Sequence, residues 1–326
     1  MERTNMNNIL ITSVGKRVSL VKFFQKEMKK YHKDSKVYTT EMNPMMSPAA
    51  HISDGCFNVS RVTANGYISE LLDISLKNSI KIIIPTIDTE LIILAKNKEL
   101  FKSYGISILV SDIDFIETCR DKRNTYQLFD QLGIDYPKLI NKNSPTFPMF
   151  AKPYDGSLSS NLHIINSIED FTSKIKADEK LIYMELVDKT KYKEYTVDMY
   201  YGMDNKVKSI VPRERIEVRA GEINKGITRK NFIVNYLKNR MGYLHGVIGC
   251  ICIQLFVKEE TEDILAIEIN PRFGGGYPLS YYAGANYPQK IIDEYLCGQL
   301  LNYDDSWTDN TLMLRYDAEF IITDNK

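Results

Sequence analysis

Apolar and polar positions along the chain change their rhythm near residue 113. Before it, short apolar runs alternate with longer stretches of helical spacing. Asn8–Ser13, Lys36–Thr40, Cys56–Val59, Lys81–Pro85 and Ile106–Val110 read as strands. Between them, Val18–Lys30 places Val18, Val21, Phe24 and Met28 on one helical face, Tyr67–Lys77 is amphipathic, and Glu90–Lys96 reads as a further helix. Strands alternating with helices imply an α/β unit with a parallel sheet and right-handed crossovers. The turn after the first strand, Ser13-Val14-Gly15-Lys16-Arg17, has a single glycine and is not a dinucleotide fingerprint. Ligands of such sheets bind beyond the carboxyl ends of the strands. Gly15-Lys16-Arg17 and Thr86-Ile87-Asp88-Thr89-Glu90 therefore form a candidate substrate rim. Turn chemistry, with Asp88 capping a helix, accounts for the same residues.

After Ile113 the spacing predicts one long helix, Asp114–Leu132, stopped by Gly133. Lys122 inside it reads as a solvated charge. Met149–Pro153 is a strand with Lys152 near its end, and the small polar loop Tyr154–Asn161 follows. A lysine beside a Gly/Ser loop suits a phosphate clamp, the loop supplying backbone N–H groups, and a flexible hairpin explains it as well. Leu181–Val187 and Lys193–Tyr201 are apolar strands carrying Glu185, Glu194 and Asp198. Glu185, Leu186 and Val187 offer an apolar slot with backbone groups for an adenine, and Glu194 a carboxylate for a ribose. Val211–Ala220 alternates, so Arg213, Arg215, Glu217 and Arg219 share a face that is either solvated or turned to an anion.

Two further strands, Val247–Val257 and Ile264–Ile269, flank a polar turn. Folding about Thr261 sets Gln254 opposite Glu268, with Cβ atoms about 4.5–5.5 Å apart. Glu268 and Asn270 then share a face, Ile267 and Ile269 point into a core, and Pro271 ends the strand. Arg272 lies just past the tip. Hard oxygens suit Mg²⁺ and a planar guanidinium suits a phosphate; an ordinary hairpin with a solvated polar face is the plainer alternative. Ser280–Asn286 reads either as a pocket wall or as a packed helix.

Lys+Arg and Asp+Glu both number 42 among 326 residues, so the formal charge is zero, which argues against a general nucleic-acid or acidic-membrane binder. Apolar residues make up 44% and charged residues 26%, as in ordinary globular chains. The five cysteines (Cys56, Cys119, Cys250, Cys252, Cys297) are scattered without a CxxC, so neither a zinc site nor a disulfide framework is expected, and a cytoplasmic location fits. No apolar run approaches the roughly 20 residues of a membrane span.

Lys122, Lys152-Pro153 before its Gly/Ser loop, Glu185-Leu186-Val187, Glu194-Tyr195-Thr196-Val197-Asp198, Gln254 and Glu268-Ile269-Asn270-Pro271-Arg272-Phe273-Gly274-Gly275, in this order, resemble the motifs of the ATP-grasp superfamily. The nearest resemblance is to single-unit proteins similar to the carbamoyl-phosphate synthase large subunit and to PylC-type ligases. It implies a Rossmann-like pre-ATP-grasp domain over 1–112 and a two-lobed α+β ATP-grasp module over 113–326, with a lid lobe at about 113–185 and a catalytic lobe at about 186–326. It further implies that Lys122 and Lys152 hold ATP phosphates under a loop of Gly156, Ser157 and Ser159. Glu185, Leu186 and Val187 would bracket the adenine and Glu194 would take the ribose. Gln254, Glu268 and Asn270 would bind Mg²⁺ (or Mn²⁺), and Arg272, Lys152 and Arg215 would be the catalytic cations. The implied activity is ADP-forming ligation of a small carboxylic acid to an amine through an acyl phosphate. A carbamoyl-phosphate-type subunit needing a partner and a non-catalytic nucleotide binder are the alternatives, and a homodimer is a family-level expectation. The loop has fewer glycines than many relatives, and Asn270 stands where many carry a second carboxylate.

Overall fold

The structure is a computed structural model describing residues 7–155, 161–219 and 221–323. Gly156, Ser157 and Ser159 lie outside the described residues. The first third forms a five-stranded parallel sheet from β1 (Asn8–Ile11), β2 (Val37–Glu41), β3 (Cys56–Asn58), β4 (Ile80–Ile84) and β5 (Ser107–Ile108), in the order β3-β2-β1-β4-β5. Its central strands are apolar on both faces because both faces are covered. Leu10, Ile83 and Ile108 pack with Leu71, Leu91 and Phe101. Ile9, Ile11, Ile82 and Ile84 share the other core with Phe24, Phe273 and Tyr281, so the start of the chain is packed directly onto its last third. Each such fully buried side chain contributes about 1.5–3 kcal/mol. Phe23 stacks on Tyr281 with ring centroids 3.7 Å apart.

A small antiparallel sheet follows: β6 (Met149–Pro153), β7 (His163–Ile165) and β8 (Leu181–Glu185), in the order β7-β6-β8. The rest is built on a six-stranded sheet of β9 (Lys193–Tyr201), β10 (Val207–Arg219), β11 (Glu222–Thr228), β12 (Gly249–Lys258), β13 (Asp263–Asn270) and β14 (Leu312–Leu314), in the order β13-β12-β9-β10-β11-β14. The chain is thus mixed α/β, parallel in front and antiparallel behind.

Three expectations are corrected. The single helix over Asp114–Leu132 is two, Ile113–Arg120 and Lys122–Leu132. Asp121 between them is extended, and its carboxylate caps the second helix by accepting from Arg123 N at 2.9 Å. Lys122 consequently opens a helix and is buried rather than solvated. Ile267 does not join Ile269 in the core: the β12–β13 register shifts between Gln254 and Leu255, and Ile267 sits half-exposed at this bulge. Of the two readings open for Ser280–Asn286, the packed helix holds at its start: Tyr277–Tyr282 is helical, and Ser280 is fully buried and donates to Asp198 Oδ2 at 2.5 Å.

Candidate active site

The hairpin of β12 and β13 pairs Gln254 with Glu268, as expected, by way of the one-residue shift between Gln254 and Leu255. Glu268 and Asn270 lie on the same face, and Asn270 Nδ2 donates to Glu268 Oε1 at 3.0 Å. Opposite this strand stand two cations, one from the start of the helix Lys122–Leu132 and one from β6. Lys122 Nζ lies 3.7 Å from Glu268 Oε2, and the Lys122 backbone N–H donates to Tyr154 O at 2.8 Å, tying the helix start to the end of β6. Lys152 Nζ reaches the carbonyl of Ile267 at 3.5 Å and lies 5.6 Å from the centroid of the Tyr126 ring. That carbonyl belongs to the residue at the bulge. Burial pushes the Lys152 ammonium down to about 8; Glu268 opposes this and the nearby charge of Lys122 adds to it. Two lysines converging on one carboxylate leave a surplus of positive charge in a largely buried cleft, which is an anion site by composition.

Arg272 follows β13. Its Nη2 donates to Asp88 Oδ2 at 2.9 Å and Asn270 Oδ1 at 3.3 Å, while its Nε is buried without a partner. Burial works to lower its pKa, but Asp88, Glu268 and the other negative neighbours together outweigh that and the guanidinium is held above its ordinary value. Beside it sits Arg17, with Nη1 donating to Phe273 O at 3.1 Å and Nη2 to Thr86 O at 2.9 Å. Burial, then repulsion from Arg272, lowers Arg17 to about 10.

On the other flank, Arg215 Nη1 donates to Glu194 Oε1 at 2.6 Å and Gln254 Oε1 at 3.4 Å, and its Nε is also buried without a partner. Glu194 and Arg215 line a cavity of about 330 Å³ with Tyr192, Ile216 and Phe256. A second cavity of about 630 Å³ lies behind the β8 end, lined by Glu185 with Leu139, Tyr192 and Leu265. Neither cavity is lined by Lys122, Lys152, Gln254, Glu268 or Asn270; the smaller one meets the site through Glu194 and Arg215. Glu185 ends β8, its carboxylate accepting from Lys138 N at 3.1 Å, and Leu186 and Val187 follow half-buried.

The arginines of β10 do not form one anion-facing row. Arg213 is fully buried in a two-bond pair with Asp198 at 2.8 and 2.9 Å, Arg215 lies at the site, and Arg219 is 72% exposed beside Asp317. The β10–β11 register shifts at Arg215/Glu217 and again at Glu217/Val218, so the strand leaves the core as it passes the cleft.

Among the described residues no group of three His, Cys, Asp or Glu side chains is placed to hold a metal. A cation here would rest on one carboxylate and two amide oxygens, Glu268, Gln254 and Asn270. That hard, sparse donor set fits Mg²⁺, which keeps waters and takes further oxygens from phosphates. Sequence reasoning had set Arg17 and Asp88 at a substrate rim and had missed their contacts with Arg272–Phe273, Tyr126 under Lys152, and the Ile267 carbonyl. Nothing in one sequence signals a bulge or a contact across 184 positions.

Comparison with known proteins gives two family matches: the PylC-like N-terminal domain over residues 9–109, and the ATP-grasp of the biosynthetic pathway with Ter operon over residues 177–312. No curated protein sequence matches the chain. Among solved structures, N5-carboxyaminoimidazole synthetase from Staphylococcus aureus complexed with ADP superposes with a TM-score of 0.69 at 16% identity, over 94% of this chain and 79% of that one. The biotin carboxylase domain of Hydrogenobacter thermophilus 2-oxoglutarate carboxylase, in complex with MgADP, ADP and bicarbonate, gives 0.69 at 15% identity, over 93% and 72%. L-amino acid ligase from Bacillus licheniformis gives 0.65 at 16% identity, over 89% and 74%. At such identities these likenesses concern the fold. No helix among the described residues is long and apolar enough to cross a membrane.

Proposed function

The chain belongs to the ATP-grasp superfamily of ATP-dependent ligases, and we propose that it is an ADP-forming enzyme joining a small carboxylic acid to an amine through an acyl phosphate. One observation carries this reading: Lys122, Lys152, Gln254, Glu268, Asn270 and Arg272, drawn from two lobes, converge on a single cleft. In the proposed arrangement residues 113–326 are the ATP-grasp module and residues 1–112 form the wall on which the second substrate is presented.

Lys122 and Lys152 would hold the nucleotide phosphates from the lid side. Glu185, Leu186 and Val187 would meet the adenine, and Glu194, now paired with Arg215, the ribose. Gln254, Glu268 and Asn270 would hold Mg²⁺, which when bound neutralises charge on the phosphate oxygens. Phosphoryl transfer needs little covalent help from the protein and much fixed positive charge. Arg272 supplies that charge where the transferred group meets the acid, and Arg215 does so on the opposite flank. Gly156, Ser157 and Ser159 are assigned the covering loop by resemblance alone.

The substrates are a carboxylic acid and an amine. The test is Mg²⁺-dependent release of ADP and phosphate, screened over pooled small acids and amines. Release that requires both an acid and an amine supports the ligase; release that requires ammonia or a glutaminase, or none with any pool, overturns it.

A further inference from the structure

Two side chains of the parallel-sheet domain reach Arg272 and Phe273, and nucleotide binding explains neither. Arg17 stands at the turn after β1 and bridges Thr86 O and Phe273 O. Asp88 opens the helix Asp88–Lys96 after β4 and accepts from Arg272 Nη2. Both turns are fixed from beneath. Thr86 Oγ1 donates to Thr12 O at 2.9 Å and Ser13 O at 2.8 Å, joining the two strand ends. The fully buried Glu90 accepts from Thr86 N at 2.8 Å, Ser13 Oγ at 3.0 Å and Tyr67 Oη at 3.2 Å. The ends of β1 and β4 are therefore one frame, and that frame grips Arg272 and its neighbour from the front. Behind, Cys252 Sγ lies 3.5 Å from Arg272 O and 3.0 Å from Asp198 Oδ1. The backbone of Arg272 is held from the sheet side, while its guanidinium is directed by Asn270, by Asp88 and by the Phe273 carbonyl, which Arg272 Nη1 reaches at 3.3 Å and which Arg17 also grips.

We propose that Arg17 and Asp88 are positioning residues for phosphoryl transfer: across the domain junction they hold the Arg272 guanidinium in register with Glu268 and Asn270. Only the role given to Arg272 rests on the ligase reading. A free arginine side chain must give up its rotamer entropy to take one direction, and donors already in place when charge develops need no reorganisation. Arg17 serves through geometry rather than charge. Its fork spans two carbonyls, which a lysine cannot do.

The test compares affinities for MgADP and for the Mg²⁺ complex of a non-hydrolysable ATP analogue, by calorimetry on the full chain. Arg272 is assigned to the terminal phosphoryl group, so Arg17→Lys and Asp88→Asn should leave MgADP binding within about twofold and weaken the analogue about tenfold, while adding Asp88→Asn to Arg272→Ala should cost nothing further. Equal loss of both nucleotides, full additivity with Arg272→Ala, or no effect overturns the proposal. So does a wild-type protein that binds the two nucleotides equally or binds neither. Because the measurement needs no acid, the absence of acid-dependent ADP release alongside the expected nucleotide pattern would sink the ligase reading and leave this one standing.

Discussion

Replacing Lys152 by Met should make the nucleotide-free protein more stable. The ammonium is 5% exposed and burial lowers it to about 8 from 10.5. At 1.36 kcal/mol per pKa unit, keeping it charged in the native cleft costs about 3 kcal/mol at neutral pH. The sign follows from proton counting. Between about pH 8 and 10.5 the native state holds fewer protons than the unfolded chain, so wild-type stability climbs with pH across that window. Below it the full cost is present, and above it the cost is gone. Met fills the same space without the charge. The variant should therefore exceed wild type by up to about 3 kcal/mol at pH 7, and the gap should close toward pH 10.5. Urea unfolding of both proteins at several pH values measures the gap. The same variant should lose nucleotide affinity, because the surplus charge that costs stability is what a phosphate relieves. A Met variant less stable than wild type at pH 7, or a gap that does not change with pH, would refute the reasoning.

Three other outcomes are expected. Glu268→Gln removes the one carboxylate of the oxygen set and the partner of Lys122; Mg²⁺-dependent ADP release should fall at least about a hundredfold, and a near-normal rate in a Mg²⁺ titration would contradict the site. Arg213→Leu leaves Asp198 charged and buried; the urea midpoint should report a loss of about 3–5 kcal/mol, partly recovered when Asp198 is also made Leu. Gly276→Ala would drive a methyl group into Arg213 Nη1 and Ile223; it should destabilise by about 1–3 kcal/mol, and an unchanged midpoint would show that the loop yields.

The parts of the site legible in the sequence are those fixed by local rules. Period-two alternation and the polar turn near Thr261 predict the β12–β13 hairpin, but the pairing of Gln254 with Glu268 also depends on the one-residue shift between Gln254 and Leu255, which the pattern does not show. The strand Lys193–Tyr201 was bounded correctly because nearly every residue in it is buried on both faces. Lys122 was misread because a lysine in a helical pattern carries no sign of what its helix start faces. The strand Glu222–Thr228 was missed, since Ile223 and Ile227 are its only apolar side chains; the helix Phe232–Met241 was missed although Ile233, Val234, Leu237 and Met241 have helical spacing.

The arginines of β10 show why pattern stops short of site. Alternation makes Arg213, Arg215 and Arg219 equivalent, yet their surroundings differ because the strand crosses from core to solvent within these few residues. At Arg213 the sheet is covered by the Tyr277–Tyr282 helix, and a buried guanidinium must find a carboxylate; Asp198 on the neighbouring strand supplies it, and Ser280 and Cys252 complete that carboxylate's bonds. An arginine so satisfied lies against Gly274 and Gly276, which have no side chain to displace it. At Arg215 the cover ends, and the side chain bridges Glu194 and Gln254 with its Nε still unmet. By Arg219 the strand is in water. The same residue type is thus strut, site and surface over three alternate positions. What decides among the three is how far the fold covers each guanidinium, fully at Arg213, partly at Arg215 and hardly at Arg219, a property of the fold rather than of the sequence pattern.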